Sequence, residues 1–509
     1  MTLGRTYAVA LTGVDGQLVE VQADISQGLP GLSFTGLPDT SVVESRDRIR
    51  AAVQNCQVEW PQRRITVGLL PADVRKVGSR FDLAVALAVL AAASTVPARP
   101  VEDAVWLAEL GLDGRLRPIR GVLPSVLVAR DAGFTRVVVA AANAAEAALV
   151  EDVEVRAATT VRQLVDWLRG DGPAPPIAAA ESEACELTDA LDMCDVAGQS
   201  GAKRAIEIAA AGGHHLYLLG SPGAGKTMLA QRLPGLLPPL TDNAALEVTA
   251  LHSVAGLIGS RAQLIRRPPL QSPHHTASMS ALVGGGSHLA RPGAISLAHH
   301  GVLFLDEAAE FSPRSLDALR QPIETGCVVL HRTGGSVSYP AHFQLVLAAN
   351  PCPCGSRGRE CTCTPNVRRR YQQRLSGPLL DRIDLRVSVE PVAHADLFDN
   401  ITERETSAMI AARVAMARAA AAQRWAGSWH SNAEVPGSAL RGAPWSLPRA
   451  VIGSAEAFLD RGELTARGFD RVLRTAWTVA DLAGRAAPQA CDVAEALFYR
   501  TGRDESWAA

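Results

Sequence analysis

The segment GSPGAGKT, residues 220–227, has residue types and spacing that suit phosphate binding. It fits the pattern G-x-x-x-x-G-K-[ST], in which glycines let backbone N–H groups turn towards phosphate oxygens. A strand-like stretch, HLYLLG, precedes it and a helical stretch follows, so a helix N-terminus would add its positive end. Lys226 would pair with the β- and γ-phosphates, and the Thr227 hydroxyl would ligate Mg²⁺. The predicted nucleotide-binding residues are Gly220, Ser221, Pro222, Gly223, Ala224, Gly225, Lys226 and Thr227.

A pair of acidic residues follows an apolar strand about eighty residues later. In GVLFLDEAAEF (301–311), the strand delivers Asp306 and Glu307 to its carboxyl end. Asp306 would hold Mg²⁺ through its water shell, and Glu307 would polarise an attacking water. Such a pair alone often caps a helix, but beside a phosphate-binding loop it favours the chemistry of phosphoryl transfer.

Three further residues could complete such a site. Asn350 ends the strand FQLVLAAN, where its amide could orient the water or simply form a turn before Pro351. Arg382 lies at a helix-to-strand corner in SGPLLDRIDL, and Arg467 lies at the start of a helix in TARGFDRVL. Either arginine could stabilise charge on a γ-phosphoryl group or form an ordinary surface salt bridge.

Four cysteines fall within twelve residues, in CPCGSRGRECTC (352–363). Four thiolates suit tetrahedral Zn²⁺, which would stabilise a loop that cannot bury a core. Free thiols are the alternative, because Cys-x-Cys is tighter than the common Cys-x₂-Cys knuckle. The candidate zinc ligands are Cys352, Cys354, Cys361 and Cys363. The basic cluster VRRRYQQR (367–374) follows, and it is either a solvated helix face or a contact with DNA or another subunit.

Composition sets limits on the class of protein. The chain has 509 residues, 47% of them hydrophobic and 20% charged, so two or three globular domains are expected. No apolar run is long enough to span a bilayer, and the N-terminal stretch does not resemble a signal peptide. We therefore expect a cytoplasmic protein with no membrane partner and with reduced thiols. The net charge of −2 means that any nucleic-acid surface must be local.

The pattern of elements divides the chain into four parts. Residues 1–169 alternate strands and helices, and residues 170–188 are rich in Pro, Ala and acids, as is typical of a linker. Residues 189–394 form a second α/β pattern, and residues 395–509 show helical periodicity with few strand signals. The predicted fold class is therefore α/β and multidomain, with an all-helical C-terminal module.

Long motifs identify a family. GSPGAGKT, the stretch SPHHTASMSALVGGGSHLARPGAISLAHHGVLFLDE (272–307), AANPCPCG and SGPLLDRIDL together resemble the ComM/YifB family of magnesium-chelatase-like AAA+ ATPases. The resemblance covers essentially the whole chain. It implies an N-terminal Lon-protease-like α+β domain (ribosomal-S5-domain-2-like), an AAA+ P-loop core and a C-terminal chelatase-type helical lid.

The resemblance assigns roles to the candidate residues. Residues 220–227 become the Walker A loop, Asp306 and Glu307 the Walker B acids, and Asn350 sensor 1. Arg382 becomes the trans arginine finger and Arg467 becomes sensor 2. A helix-2 insert would lie between about 254 and 295, and a presensor β-hairpin at 326–343 would turn at Thr333-Gly334-Gly335 and present His331 or Arg332 to DNA. The acidic strand reads DEAAEF where the family has DELPEF, and both acids are retained.

The N-terminal domain lacks the catalytic pair that Lon proteases use. The glycine turn reads Gly78-Ser79-Arg80-Phe81-Asp82, which puts the serine out of register. The helix that should supply the lysine, GVLPSVLVARDAG (121–133), contains none. A nucleophile without its base is inert, so we expect a scaffold and not a protease.

The family resemblance implies an ATP-hydrolysing ring motor that acts on single-stranded or branched DNA. Its members are hexameric branch-migration helicases of recombination and natural transformation, with ATP and Mg²⁺ as cofactors. An ATPase motor of a metal-chelatase-like or protein-remodelling complex is the alternative. ATP turnover that is indifferent to DNA would favour that alternative.

Overall fold

The computed structural model describes residues 3–179, 191–259, 262–286, 290–332, 335–355, 361–392, 394 and 404–502. Residues 180–188 of the predicted linker and the hairpin-turn residues 333–334 lie outside the described residues. Across the described ranges, no helix combines the length and apolar character needed to cross a membrane.

The N-terminal region is a mixed seven-stranded sheet covered by helices, with strand order β3-β4-β2-β1-β5-β8-β9. Its strands are β1 Gly4–Thr12, β2 Asp15–Ser26, β3 Gly31–Thr35, β4 Arg64–Leu70, β5 Val105–Leu107, β6 Glu109–Leu110, β7 Leu116–Arg117, β8 Arg136–Ala140 and β9 Glu154–Ala158. Its helices are α1 Thr40–Asn55, α2 Asp82–Ala92, α3 Ala98–Glu102, α4 Val122–Asp131, α5 Ala144–Ala147 and α6 Val161–Arg169. The short strands β6 and β7 pair with each other.

Helix α2 forms the centre of this region. Every residue of DLAVALAVLAA is buried, as expected of a helix that is apolar all round. Its one charged residue, Asp82, pairs with Arg48 at 2.7 Å. Burial raises the pKa of Asp82 to about 6, although Arg48 opposes the shift.

Part of the predicted linker belongs to the N-terminal sheet. Ile177 forms an antiparallel bridge with Arg156 of β9, and the Ala157 N–H donates to the carbonyl of Pro176 at 3.0 Å. The chain therefore extends the sheet beyond β9 before it leaves the region.

The central region is a five-stranded parallel sheet with order β11-β14-β17-β10-β18. Its strands are β10 Leu216–Gly220, β11 Leu270–Gln271, β12 Gly284–Gly285, β13 Arg291–Pro292, β14 Val302–Leu305, β15 Cys327–Arg332, β16 Gly335–Pro340, β17 Gln344–Ala349 and β18 Leu385–Val389. Its helices are α7 Ser200–Gly212, α8 Lys226–Arg232, α9 Asp242–Ala255, α10 Met279–Leu282, α11 Ala294–Leu297, α12 Pro313–Asp317, α13 Arg320–Thr325, α14 Pro365–Gln372 and α15 Gly377–Asp381.

The central strands bring the candidate residues to one edge of the sheet. All residues of β14 and β17 are buried, as is usual for parallel strands covered on both faces. Because the strands are parallel, the segments that follow β10, β14 and β17 start at the same edge. Two antiparallel hairpins stand outside this sheet: β12 pairs with β13, and β15 pairs with β16.

The described C-terminal region is helical. It comprises α16 Ser407–Trp425, α17 Gly437–Arg441, α18 Arg449–Asp460, α19 Ala466–Leu482 and α20 Ala490–Thr501. Ile410 and Val414 of α16 share one apolar cluster with Ile206 of α7. This packing joins the helical region to the central sheet.

The N-terminal and central regions are joined through α9. The N–H of Gly121 donates to the carbonyl of Ser253 at 3.2 Å, and the Ser253 hydroxyl donates to Glu146. Leu246 and Ala250 of α9 pack with the apolar residues of α4 and β8.

Candidate active site

The loop between β10 and α8 has the backbone shape that phosphate binding needs. Gly223 and Gly225 have φ values of 78° and 90°, in the left-handed region that glycine adopts without strain. Gly220 fits closely beside β18, because a Cβ there would lie 2.3 Å from the carbonyl oxygen of Val389. The glycines thus serve the turn and the close approach of two strands.

The ammonium group of Lys226 is held at the centre of the loop. Its Nζ donates to the carbonyls of Gly220 at 2.9 Å and Ser221 at 2.8 Å, and to Asn350 Oδ1 at 3.1 Å. Burial lowers the pKa of Lys226, and the nearby carboxylates of Asp306 and Glu307 oppose that shift. The structure therefore joins the end of β17 to the phosphate-binding loop.

The two predicted Mg²⁺ residues are in direct contact. Thr227 donates its hydroxyl hydrogen to Asp306 Oδ2 at 2.6 Å, and the Glu307 N–H donates to Asp306 Oδ1 at 2.9 Å. Hydroxyl and carboxylate oxygens are the donors that Mg²⁺ prefers. This donor set fits the ion that the sequence implies.

The carboxylate of Glu307 is engaged by a histidine. Glu307 has a left-handed backbone with φ 50°, and its Oε2 lies 3.1 Å from His275 Nδ1. The Glu307 side chain is 54% exposed, so water can reach it. His275 belongs to the long family motif, but its spacing alone assigned it no role.

The two candidate arginines meet at a residue that the sequence analysis did not select. Arg382 Nη2 lies 2.5 Å from Glu324 Oε1, and Arg382 Nη1 donates to the carbonyl of Pro378 at 2.7 Å. Arg467 Nη1 lies 3.9 Å from the same Glu324 oxygen and is 72% exposed. The structure therefore brings these arginines together at Glu324, whereas Lys226, Thr227, Asp306 and Asn350 form a separate connected group.

A buried ion pair holds the helical region against the corner that carries Arg382. Asp384 pairs with Arg471 of α19 at 2.6 Å, and its side chain is 1% exposed. It also accepts the N–H of His215 at 2.9 Å. Arg471 and the two buried histidines, His214 and His215, hold the pKa of Asp384 well below its usual range against the effect of burial.

The four candidate zinc ligands come together in space. The sulfur of Cys352 lies 2.9 Å from that of Cys354 and 3.4 Å from that of Cys361, and all four sulfurs, including that of Cys363, lie within 4.8 Å of one another. The cysteines are free thiols. Zn–S bonds of about 2.3 Å imply sulfur separations of about 3.8 Å in a tetrahedron, so the donor set fits zinc.

The cysteine loop touches the phosphate-binding loop. A Cβ at Gly355 would lie 2.6 Å from Pro222 Cγ, which shows how closely the two backbones pack. On the other side, helix α14 carries the basic cluster. Arg369 and Arg370 are exposed and Tyr371 is buried, so a charged face points away from the core.

The predicted absence of a Ser–Lys dyad concerns the N-terminal region. In the structure the Ser79 hydroxyl donates to Glu109. The nearby Lys76 is fully buried, and it donates to the carbonyl of Pro71. The serine therefore has a carboxylate partner, and the lysine is held elsewhere.

Comparisons with known proteins cover nearly the whole chain. Family models match residues 192–397 ("Magnesium chelatase, subunit ChlI"), 21–143 ("Subunit ChlI of Mg-chelatase") and 404–500 ("Magnesium chelatase, subunit ChlI C-terminal"). The competence protein ComM of Haemophilus influenzae is 40% identical over 98% of this chain and 98% of its own length. The chain belongs to the ComM/YifB magnesium-chelatase-like family. The predicted resemblance is confirmed.

Two other relatives extend the comparison. YifB of Escherichia coli is 39% identical over 98% of this chain and 97% of its own length. An uncharacterized protein of Mycobacterium tuberculosis is 52% identical over 98% of this chain and 99% of its own length. The ComM/YifB family thus accounts for all three regions, and the mixed α/β class with a parallel sheet agrees with the prediction.

Proposed function

We propose that this chain is an ATP-hydrolysing AAA+ motor that acts on DNA. The observation that carries the proposal is the connected group of Lys226, Asn350, Thr227 and Asp306 at the edge of the parallel sheet. It combines a cation for phosphate, oxygen donors for Mg²⁺ and a polar residue for the attacking water. Glu307, beside it, has an accessible carboxylate.

The proposed reaction uses these residues in sequence. Lys226 exchanges its bonds with loop carbonyls for bonds with the β- and γ-phosphates. Glu307 accepts a proton from water as the water oxygen attacks the γ-phosphorus, and the bond from phosphorus to the β,γ-bridging oxygen breaks to release ADP. Asn350 orients the water from the end of β17.

Magnesium would be held by Thr227 and Asp306. When bound, it neutralises charge on the phosphate oxygens. In a ring, Arg382 of one subunit would reach the nucleotide of its neighbour, while Arg467 would report on the nucleotide from the helical lid. We propose a cytoplasmic homo-oligomer of six copies, as the family resemblance implies.

The DNA assignment is supported by family membership and by local charge. One relative is named a competence protein, and α14 exposes Arg369 and Arg370 although the chain as a whole is slightly acidic. The hairpin β15–β16, with exposed His331 near its turn, would line the pore of the ring. The N-terminal region, a Lon-like fold, would form a non-proteolytic collar.

A metal-chelatase or protein-remodelling motor is the second candidate, since all three family models carry magnesium-chelatase names. The deciding experiment measures ATP turnover with no DNA, with single-stranded DNA and with a four-way junction, followed by a branch-migration assay. The proposal expects DNA to raise turnover and the junction to be resolved only with hydrolysable ATP. Turnover that ignores DNA would favour the second candidate.

We also propose that the four clustered cysteines bind structural Zn²⁺. Metal analysis of purified protein should find one zinc per chain, and Cys361→Ser should reduce it. Cys491→Ser is the matched control, because Cys491 is exposed and distant in sequence from the cluster. Zinc-free protein with all four thiols titratable would contradict the assignment.

A further inference from the structure

His275 reaches the site from the strand next to the one that carries the acidic pair. Strand β11 pairs in parallel with β14, with Gln271 opposite Leu303. The chain leaves β11 at the same sheet edge where β14 delivers Glu307. His275 follows in that loop, and His274 stacks on it with ring centroids 4.1 Å apart.

The contact between His275 and Glu307 constrains the carboxylate. His275 Nδ1 lies 3.1 Å from Glu307 Oε2, so a protonated Nδ1 donates to that oxygen. A carboxylate that already accepts a charge-assisted hydrogen bond is a weaker base. It is also fixed in direction, and it must rotate or lose the bond before both its oxygens can address a water.

The loop that carries His275 is mechanically connected to both hairpins. It continues into α10 and then into β12, which pairs with β13. Leu282 at the end of α10 is buried in the same apolar cluster as Val328 of β15, and Leu330 of β15 packs against that cluster. A displacement of the β15–β16 hairpin would therefore be transmitted to α10 and to the loop before it.

We propose that His275 is a positioning residue that restrains Glu307 until the hairpins engage the polymer that the motor moves. The inference rests on the proposed role of Glu307 as the general base. Without a polymer, the hydrogen bond from His275 keeps hydrolysis slow. When a polymer displaces the hairpins, the loop shifts, His275 withdraws, and Glu307 turns to the water.

The test compares His275→Ala and His275→Asn in the full-length protein, with kcat and KM for ATP measured with and without single-stranded DNA. His275→Ala should raise the DNA-free kcat by about threefold to tenfold, as expected for loss of one hydrogen bond to a charged group. KM should stay constant, and the stimulation by DNA should shrink by the same factor. His275→Asn places an amide N–H near the position of Nδ1 and should restore the low DNA-free rate.

His274→Ala is the matched control in the same loop, since its ring nitrogen contacts Thr276 and not Glu307. A fall in kcat for His275→Ala under both conditions, or equal behaviour of the Ala and Asn variants, would overturn the inference. Glu307→Gln separates the two levels of the argument. If Glu307→Gln still hydrolyses ATP, the proposed function fails. If it is inactive and His275→Ala is not activated, only the role of His275 fails.

Discussion

Replacement of Asp384 by asparagine tests how the helical region is held against the central sheet. Asp384 is buried, pairs with Arg471 at 2.6 Å and accepts the N–H of His215. Asparagine has nearly the same shape and can still accept that N–H, so the substitution removes mainly the charge. Arg471, whose side chain is 16% exposed, would lose its counter-ion.

The size of the effect follows from burial. Removing one partner of a buried ion pair costs about 3–5 kcal/mol, and the retained acceptor and partial exposure of Arg471 place Asp384→Asn near about 3 kcal/mol. For a domain of about 200 residues, each kcal/mol lowers Tm by about 2–4 °C. We therefore expect the transition of the C-terminal half to fall by about 6–12 °C. Because Arg467 lies one helical turn before Arg471 on α19, the ATPase kcat should fall as well.

Differential scanning calorimetry at pH 7.5 measures the shift, and ATP turnover at 20 °C measures the functional loss. Glu456→Gln is the control, since Glu456 lies 3.6 Å from an Arg449 side chain that is 90% exposed. Exposed pairs of this kind contribute less than about 1 kcal/mol. If Asp384→Asn shifts Tm no more than Glu456→Gln does, the buried pair does not hold the lid in the way described.

Three further predictions follow. Burial lowers the pKa of His214 and His215 to about 4, below the unfolded value of about 6.5, so the unfolded state binds more protons between these values and stability falls as pH falls from about 6.5 to 4. The loss, about 3 kcal/mol per histidine, is measurable by urea unfolding, and constant stability down to pH 4.5 would contradict it. Glu324→Gln should free Arg382 and raise kcat/KM for ATP while changing stability by less than about 1 kcal/mol, because Glu324 is half exposed; a loss of turnover like that of Arg382→Ala would argue against this. Gly220→Ala should destabilise by about 1–3 kcal/mol and weaken nucleotide binding, because its Cβ would lie 2.3 Å from the Val389 carbonyl oxygen; unchanged urea unfolding and nucleotide titration would refute it.

The sequence could predict the parts of the site that depend on local patterns. The Lys226 loop and the acidic pair after β14 each follow an apolar strand, and the carboxyl ends of parallel strands meet at one edge. That geometry is why the contacts of Lys226 with Asn350 and of Thr227 with Asp306 were expected as a group. Cysteine spacing likewise predicted a cluster, since the loop between the pairs is short.

Other contacts depend on chain paths that a local pattern does not reveal. Glu324 lies in a short helix and looks like any exposed acid, and its pairing with Arg382 requires α13 and α15 to meet. His275 lies more than thirty residues before Glu307 in the sequence, and their contact depends on the pairing of β11 with β14. Residues 176–178 have the composition of a linker, yet they add to the sheet because β9 leaves an unpaired edge.

The most direct test of the central claim is steady-state phosphate release by purified protein with ATP and Mg²⁺, beside Lys226→Ala and Glu307→Gln. The account predicts turnover for the unaltered chain, loss of both nucleotide binding and turnover for Lys226→Ala, and retained binding without turnover for Glu307→Gln. Turnover that persists in Glu307→Gln, or nucleotide binding that is indifferent to Lys226, would contradict the assignment of this site.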